Sequence, residues 1–147
     1  MAEIYRKMGV KNYAFHLALL QPELENVDPH AHDLDAETMS KIAIECYYNP
    51  WYYFRECVRV PPQGSAKPLQ LKANRGNLAL WWSFFAHIDP FLIQPRQTGK
   101  SLSTDALSDY LILIRCRNSR MNLLTKDDKL RTANIDRLKK LRMFLPA

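Results

Sequence analysis

The chain has 147 residues, 47% of them hydrophobic and 24% charged, with a formal net charge of +6. This length supports one compact domain with its own core, and the composition makes a globular protein the default class. No window reaches the roughly 18 consecutive apolar residues of a membrane helix, and the N-terminus lacks a signal-peptide core, so an intracellular protein is expected.

The charge is uneven. Residues 1–60 carry six Lys/Arg and nine Asp/Glu, whereas residues 61–147 carry fifteen and six. The second part is therefore basic enough to attract a polyanion, either a nucleotide or a nucleic-acid backbone. A solvated basic surface is the plainer alternative. Cys46, Cys57 and Cys116 are odd in number and lack zinc-site spacing, so buried free thiols are expected.

In chain order, residues 1–21 are weakly amphipathic, with Ile4, Met8, Tyr13, Leu17 and Leu20 near helical spacing. Residues 22–35 are acidic and hold two prolines, which reads as a linker. Asp28, His30, His32, Asp33 and Asp35 within it fit a solvated loop better than a metal site, which needs rigidly held ligands. Asp35 followed by Thr38 predicts a helix start, with Met39, Ile42, Ile44, Cys46 and Tyr47 as apolar positions. Asn49-Pro50 interrupts that helix ahead of the aromatic run Trp51, Tyr52, Tyr53 and Phe54. Pro61-Pro62-Gln63-Gly64-Ser65 is a breaker.

Asn74-Arg75-Gly76-Asn77 precedes an apolar stretch, residues 78–85, whose length and composition favour a buried helix. Phe91-Leu92-Ile93 is a short apolar run of the kind expected for a buried parallel strand. Residues 102–114 carry a helical pattern, with Arg115, Arg117 and Arg120 near its end. Met121-Asn122-Leu123-Leu124 is a second strand candidate, and Asp127-Asp128 open a last helix. Strand, loop, helix, strand and helix in this order predict an α/β fold: an incomplete P-loop nucleotide-binding core with parallel strands, preceded by a mostly helical N-terminal region. The expected divisions are an arm and acidic linker (1–35), a helical aromatic-rich segment (36–62) and the partial core (63–147).

Between the first strand candidate and its helix lies Gln94-Pro95-Arg96-Gln97-Thr98-Gly99-Lys100-Ser101. It matches the phosphate-loop pattern G-x-x-x-x-G-K-[ST] except for Gln at the first position. Gly99 lets the backbone approach phosphate and turn into the helix. Lys100 supplies a point charge to the terminal phosphates, and Ser101 offers a hydroxyl to Mg²⁺. Arg96 is unusual inside such a loop; a guanidinium there suits the terminal phosphate, and pairing with a surface carboxylate is the equal alternative. All eight residues, 94–101, are candidate nucleotide contacts, with ATP and Mg²⁺ as the expected ligands.

This segment resembles the deviant phosphate loop of tailed-bacteriophage large terminase subunits, which reads Arg-Gln-x-Gly-Lys-[Ser/Thr] without the leading glycine. Tyr53-Phe54-Arg55-Glu56 followed by Gln70-Leu71-Lys72 is similar to the family's adenine-holding region. Thr125-Lys126 after Leu123-Leu124, then Asn134-Ile135-Asp136-Arg137-Leu138 and Leu145-Pro146, resembles its second strand and helix. The likeness runs from about Tyr47 to Ala147. It implies the ATP-binding portion of a DNA-packaging motor, with Arg96 and Lys100 as catalytic residues acting on phosphate. Where the family offers an adenine-binding glutamine this chain has Lys72-Ala73-Asn74-Arg75-Gly76, so Phe54, Asn74 and Arg75 become the adenine-region candidates.

The implied partners are double-stranded DNA, a portal protein, a small terminase subunit and further terminase subunits in a ring, with no membrane. The implied location is the host cytoplasm and, transiently, the procapsid portal, not the mature virion. The acid in Asp109-Tyr110-Leu111-Ile112-Leu113-Ile114 lies on the wrong side of the apolar run for a Walker B strand. No carboxylate cluster suits a two-metal nuclease. The expectation is therefore a fragment, a split-gene product or a truncated relative that binds nucleotide without hydrolysing it alone. A helicase-like P-loop ATPase and a non-catalytic terminase-like binding protein are the alternatives. Lys126, Lys129, Arg131, Arg137, Lys139, Lys140 and Arg142 form a basic face that suits DNA phosphates or simply solvent.

Overall fold

The computed structural model describes residues 1–60, 67–95, 99–122 and 124–146. The Pro-rich breaker at 61–65, Leu123, and Arg96, Gln97 and Thr98 of the phosphate loop lie outside the described residues.

The expected α/β core with parallel strands is not what forms. The fold is 56% helical, and among the described residues the sheet consists of two short antiparallel strands. These are β1 (Arg59–Val60) and β2 (Leu69–Gln70), in the register Arg59 opposite Gln70 and Val60 opposite Leu69. Among the described residues, neither apolar run expected as a parallel strand forms one. Residues 91–93 have no ladder partner, and Phe91 and Ile93 are 92% and 83% exposed. In the second run Leu124 is 93% exposed. A parallel strand is stabilised by neighbours along its edges and helices over its faces. Among the described residues these runs find neither, so their apolar character produces no sheet.

The helices begin where polar caps stand. A short helix α1 (Ala2–Lys7) and two 3₁₀ turns (Phe15–Leu17 and Pro22–Leu24) precede α2 (Ala36–Tyr48). The Asp35 carboxylate accepts from the Thr38 amide at 2.7 Å and starts α2. Asn49 ends α2 and caps the next turn, α3 (Pro50–Tyr52), which runs into a π-helical turn (Tyr53–Cys57). Beyond β2 come α4 (Arg75–Phe85) and α5 (Lys100–Asp109), the latter continued by a π-helical turn (Tyr110–Arg115). Asp127 caps the last helix, α6 (Asp128–Met143), through the Leu130 amide at 2.8 Å.

One core draws on all three expected segments, from Leu24 and Ile42 through Tyr53, Phe54 and Trp81 to Tyr110 and Leu141. Aromatic rings dominate it. Phe54 stacks on Trp81 with centroids 4.1 Å apart and planes 16° apart, and Tyr110 tilts against both Tyr53 and Phe54. Glu45 is wholly buried and satisfied: it accepts from the Leu20 and Gln21 amides at 3.0 Å each and from Asn49 Nδ2 at 2.6 Å. That carboxylate ties the N-terminal segment to α2. No described helix is long and apolar enough to cross a membrane.

Candidate phosphate-binding site

The start of α5 is set by Gly99, whose φ of +80° lies in the left-handed region that side chains disfavour. Helical bonding resumes at Ser103, whose amide donates to the Gly99 carbonyl at 2.9 Å. The amides of Lys100, Ser101 and Leu102 therefore have no carbonyl within the helix to bind, and the helix dipole concentrates positive potential there. Lys100 and Ser101 are both exposed on this first turn. Among the described residues Lys100 makes no ion pair.

A second helix start lies alongside. Asn74 and Asn77 form a reciprocal capping box at the head of α4, the Asn77 amide donating at 3.0 Å and the Asn74 amide at 2.7 Å. The Asn77 side-chain amide also donates to the Ser103 hydroxyl, which donates on to the Gly99 carbonyl at 2.9 Å. Trp81 Nε1 donates to the Ser103 carbonyl at 3.0 Å. Ser103 is 1% exposed, so these bonds sit in the core and fix the two helix starts together. Gln94 is held beside the same corner: a Cβ built on Gly76 would come within 1.9 Å of Gln94 Nε2. Gly76 is what lets that side chain lie over α4.

The adenine-region residues are divided. Phe54 is buried, one face of its ring taken by Trp81. Its remaining surface borders a cavity of about 200 Å³ shared with Leu71, Lys72, Ala73 and Trp81. Asn74 caps α4, and Arg75 is exposed with its guanidinium 3.5 Å from the Met8 sulfur. Pro95 is exposed and Gln94 partly buried.

Ser101, the residue expected from the sequence to meet Mg²⁺, stands exposed on the first turn of α5. The acids of α5 are committed elsewhere: Asp105 pairs with Arg137, and Asp109 Oδ1 accepts from Arg142 Nε at 3.1 Å. Burial pushes the Asp109 carboxyl upward against the pull of Arg142, and Asp105 adds to the rise. Burial and the charge of Asp109 raise the Tyr53 hydroxyl as well. Neither the Tyr53 hydroxyl nor Asp109 Oδ2 has a hydrogen-bond partner among the described residues. Two residues of the basic face of α6, Arg137 and Arg142, are thus engaged in holding α6 to α5, and Arg131 pairs with Asp128 at 3.3 Å. Among the described residues no group of three or more His, Cys, Asp or Glu could hold a metal ion.

The motif singles out Gly99, Lys100 and Ser101 but not Asn77 and Ser103, which brace that helix start. The partial signal for Asn77 was its place three residues after Asn74 at a helix start. Nothing local marks Ser103 as the link to α4, because Trp81 and Asn77 lie 22 and 26 residues away. No family model, curated protein or solved structure matches this chain.

Proposed function

We propose that the first turn of α5 binds the phosphates of ATP with Mg²⁺, as the nucleotide-binding portion of a viral DNA-packaging ATPase of the large-terminase kind. The observation that carries the phosphate site is Gly99: a left-handed cap directly ahead of an exposed Lys100 and Ser101, braced from below by Asn77 and Ser103. Amides at a helix start, a lysine charge and a hydroxyl for the metal are the parts that phosphate binding needs. Arg96 joins them on sequence grounds, as a guanidinium for the terminal phosphate. The packaging role, with DNA, a portal and a small subunit as partners, rests on the Arg96-Gln97-Thr98-Gly99-Lys100-Ser101 likeness and the basic second part of the chain. It does not rest on a parallel sheet.

With Asp105 and Asp109 engaged by arginines, binding without turnover is the activity proposed for the chain by itself. Phosphoryl transfer needs an acid for the metal and another group to orient the attacking water. Calorimetric titration with Mg²⁺–ATP tests the reading. The parent should bind and Lys100→Ala should bind at least about tenfold more weakly, a loss of about 1.4 kcal/mol. Equal affinities would remove the phosphate assignment.

A further inference from the structure

Cys46 lies in the last turn of α2 and Cys57 closes the π-helical turn after α3, eleven residues on. Their sulfurs are 3.4 Å apart, and both residues are buried, at 6% and 1% exposure. A cavity of about 530 Å³ borders both, with His30, Met39, Ile42 and Tyr53 also on its wall. The Cys57 carbonyl is anchored by His30 Nε2 at 3.0 Å, so the turn carrying this sulfur is held in place. We propose that Cys46 and Cys57 are a redox pair, converted by a peroxide-class oxidant entering this cavity into a disulfide that staples α2 to the π-helical turn.

The chemistry balances within the pair and the oxidant. The Cys46 sulfur attacks one peroxide oxygen, the O–O bond breaks, and hydroxide leaves with the thiol proton as water. The Cys57 sulfur then attacks the resulting sulfenic acid. The S–S bond forms, the S–O bond breaks, and hydroxide takes the Cys57 proton as a second water. Two thiols lose two electrons and two protons, and the peroxide is reduced to water. Cys46 acts first because it is the less deeply buried of the two residues. The hydrogen bond with Cys46, and then burial, hold the Cys57 thiol well above its usual range, so Cys57 is not the sulfur oxidised first; it gives up its proton to the departing hydroxide as it attacks the Cys46 sulfenic acid. The sulfurs must close to about 2.05 Å, which asks for side-chain rotation within van der Waals contact.

The test is a peptide mass map of the folded Cys116→Ser chain after hydrogen peroxide, followed by unfolding and alkylation. The peptides bearing Cys46 and Cys57 should appear joined, two hydrogens lighter, and should separate on reduction. The oxidised chain should melt roughly 5–10 °C higher. The same map on the parent chain, where Cys116 is exposed, gives a readout independent of the substitution. Recovery of Cys46 and Cys57 both alkylated, or oxidised without a bridge, overturns the proposal.

Discussion

The side chain of Asn77 donates to the hydroxyl of Ser103, and through it the head of α4 is joined to the carbonyl of Gly99. Both residues are buried, so the bond has no water to replace it. Asn77→Ala removes this bond and one half of the α4 capping box. Leaving the Ser103 hydroxyl short of a partner costs about 1–3 kcal/mol. Urea unfolding should show that loss, and nucleotide affinity should fall with it. A variant as stable as the parent would mean that the two helix starts are held by packing alone.

Gly76 tests the same corner without touching the core bond. Its φ is ordinary, and alanine is the better helix former, so Gly76→Ala should change stability by less than about 1 kcal/mol. The new methyl displaces the Gln94 side chain, which lies 1.9 Å from where the Cβ would stand. Nucleotide binding should weaken while the unfolding curve stays in place. Affinity equal to the parent's would show that Gln94 does not position the loop.

Asp109 is 2% exposed, and burial raises its carboxyl above the ordinary value of 3.8. A raised folded value means that the native state holds this proton more tightly than the unfolded chain does. The contribution is complete below the ordinary value and is lost as pH climbs through the raised one. Asp109→Asn removes that loss, because its amide oxygen still accepts from Arg142 and no charge is buried. Its stability at neutral pH should equal or exceed the parent's. Arg142→Ala leaves the carboxylate unpaired and should cost about 1–3 kcal/mol, toward the lower end because Arg142 is half exposed. Urea unfolding of both variants at pH 4 and pH 7 checks the pair; a larger loss in Asp109→Asn than in Arg142→Ala would contradict it.

His16 and His30 titrate in the opposite sense. Burial lowers both below 6.5, helped at His16 by the N-terminal ammonium and Arg55, and at His30 by Arg59. The unfolded chain takes up these protons more readily, so stability is full above about 6.5 and falls as pH drops through the lowered values. The midpoint of urea unfolding should decline between pH 7.5 and 5.5, and a His16→Gln, His30→Gln chain should show a flatter decline. Identical slopes would assign the decline to other groups.

Helix starts were legible because their cause is local. Asp35 with Thr38, the Asn74 to Asn77 stretch and Asp127 each mark a boundary by a side chain that reaches an amide three residues on. The sheet was misread for the complementary reason. Phe91-Leu92-Ile93 has a buried strand's composition, but strand formation depends on partners that three residues do not encode. The candidate site is only partly a matter of motif: Gly99, Lys100 and Ser101 follow one, whereas Ser103, Asp105 and Asp109 take their partners from α4 and α6. The thiols divide likewise, with Cys46 and Cys57 buried as expected and Cys116 exposed.

The central claim is that phosphate sits on the first turn of α5, and backbone amide shifts during titration with Mg²⁺–ATP test it most directly. The account predicts the largest, saturable changes at Gly99, Lys100, Ser101 and Leu102, with smaller ones at Asn77 and Ser103 behind them. It also predicts that they vanish in Lys100→Ala. Saturable changes centred elsewhere, or none at the start of α5, would contradict it.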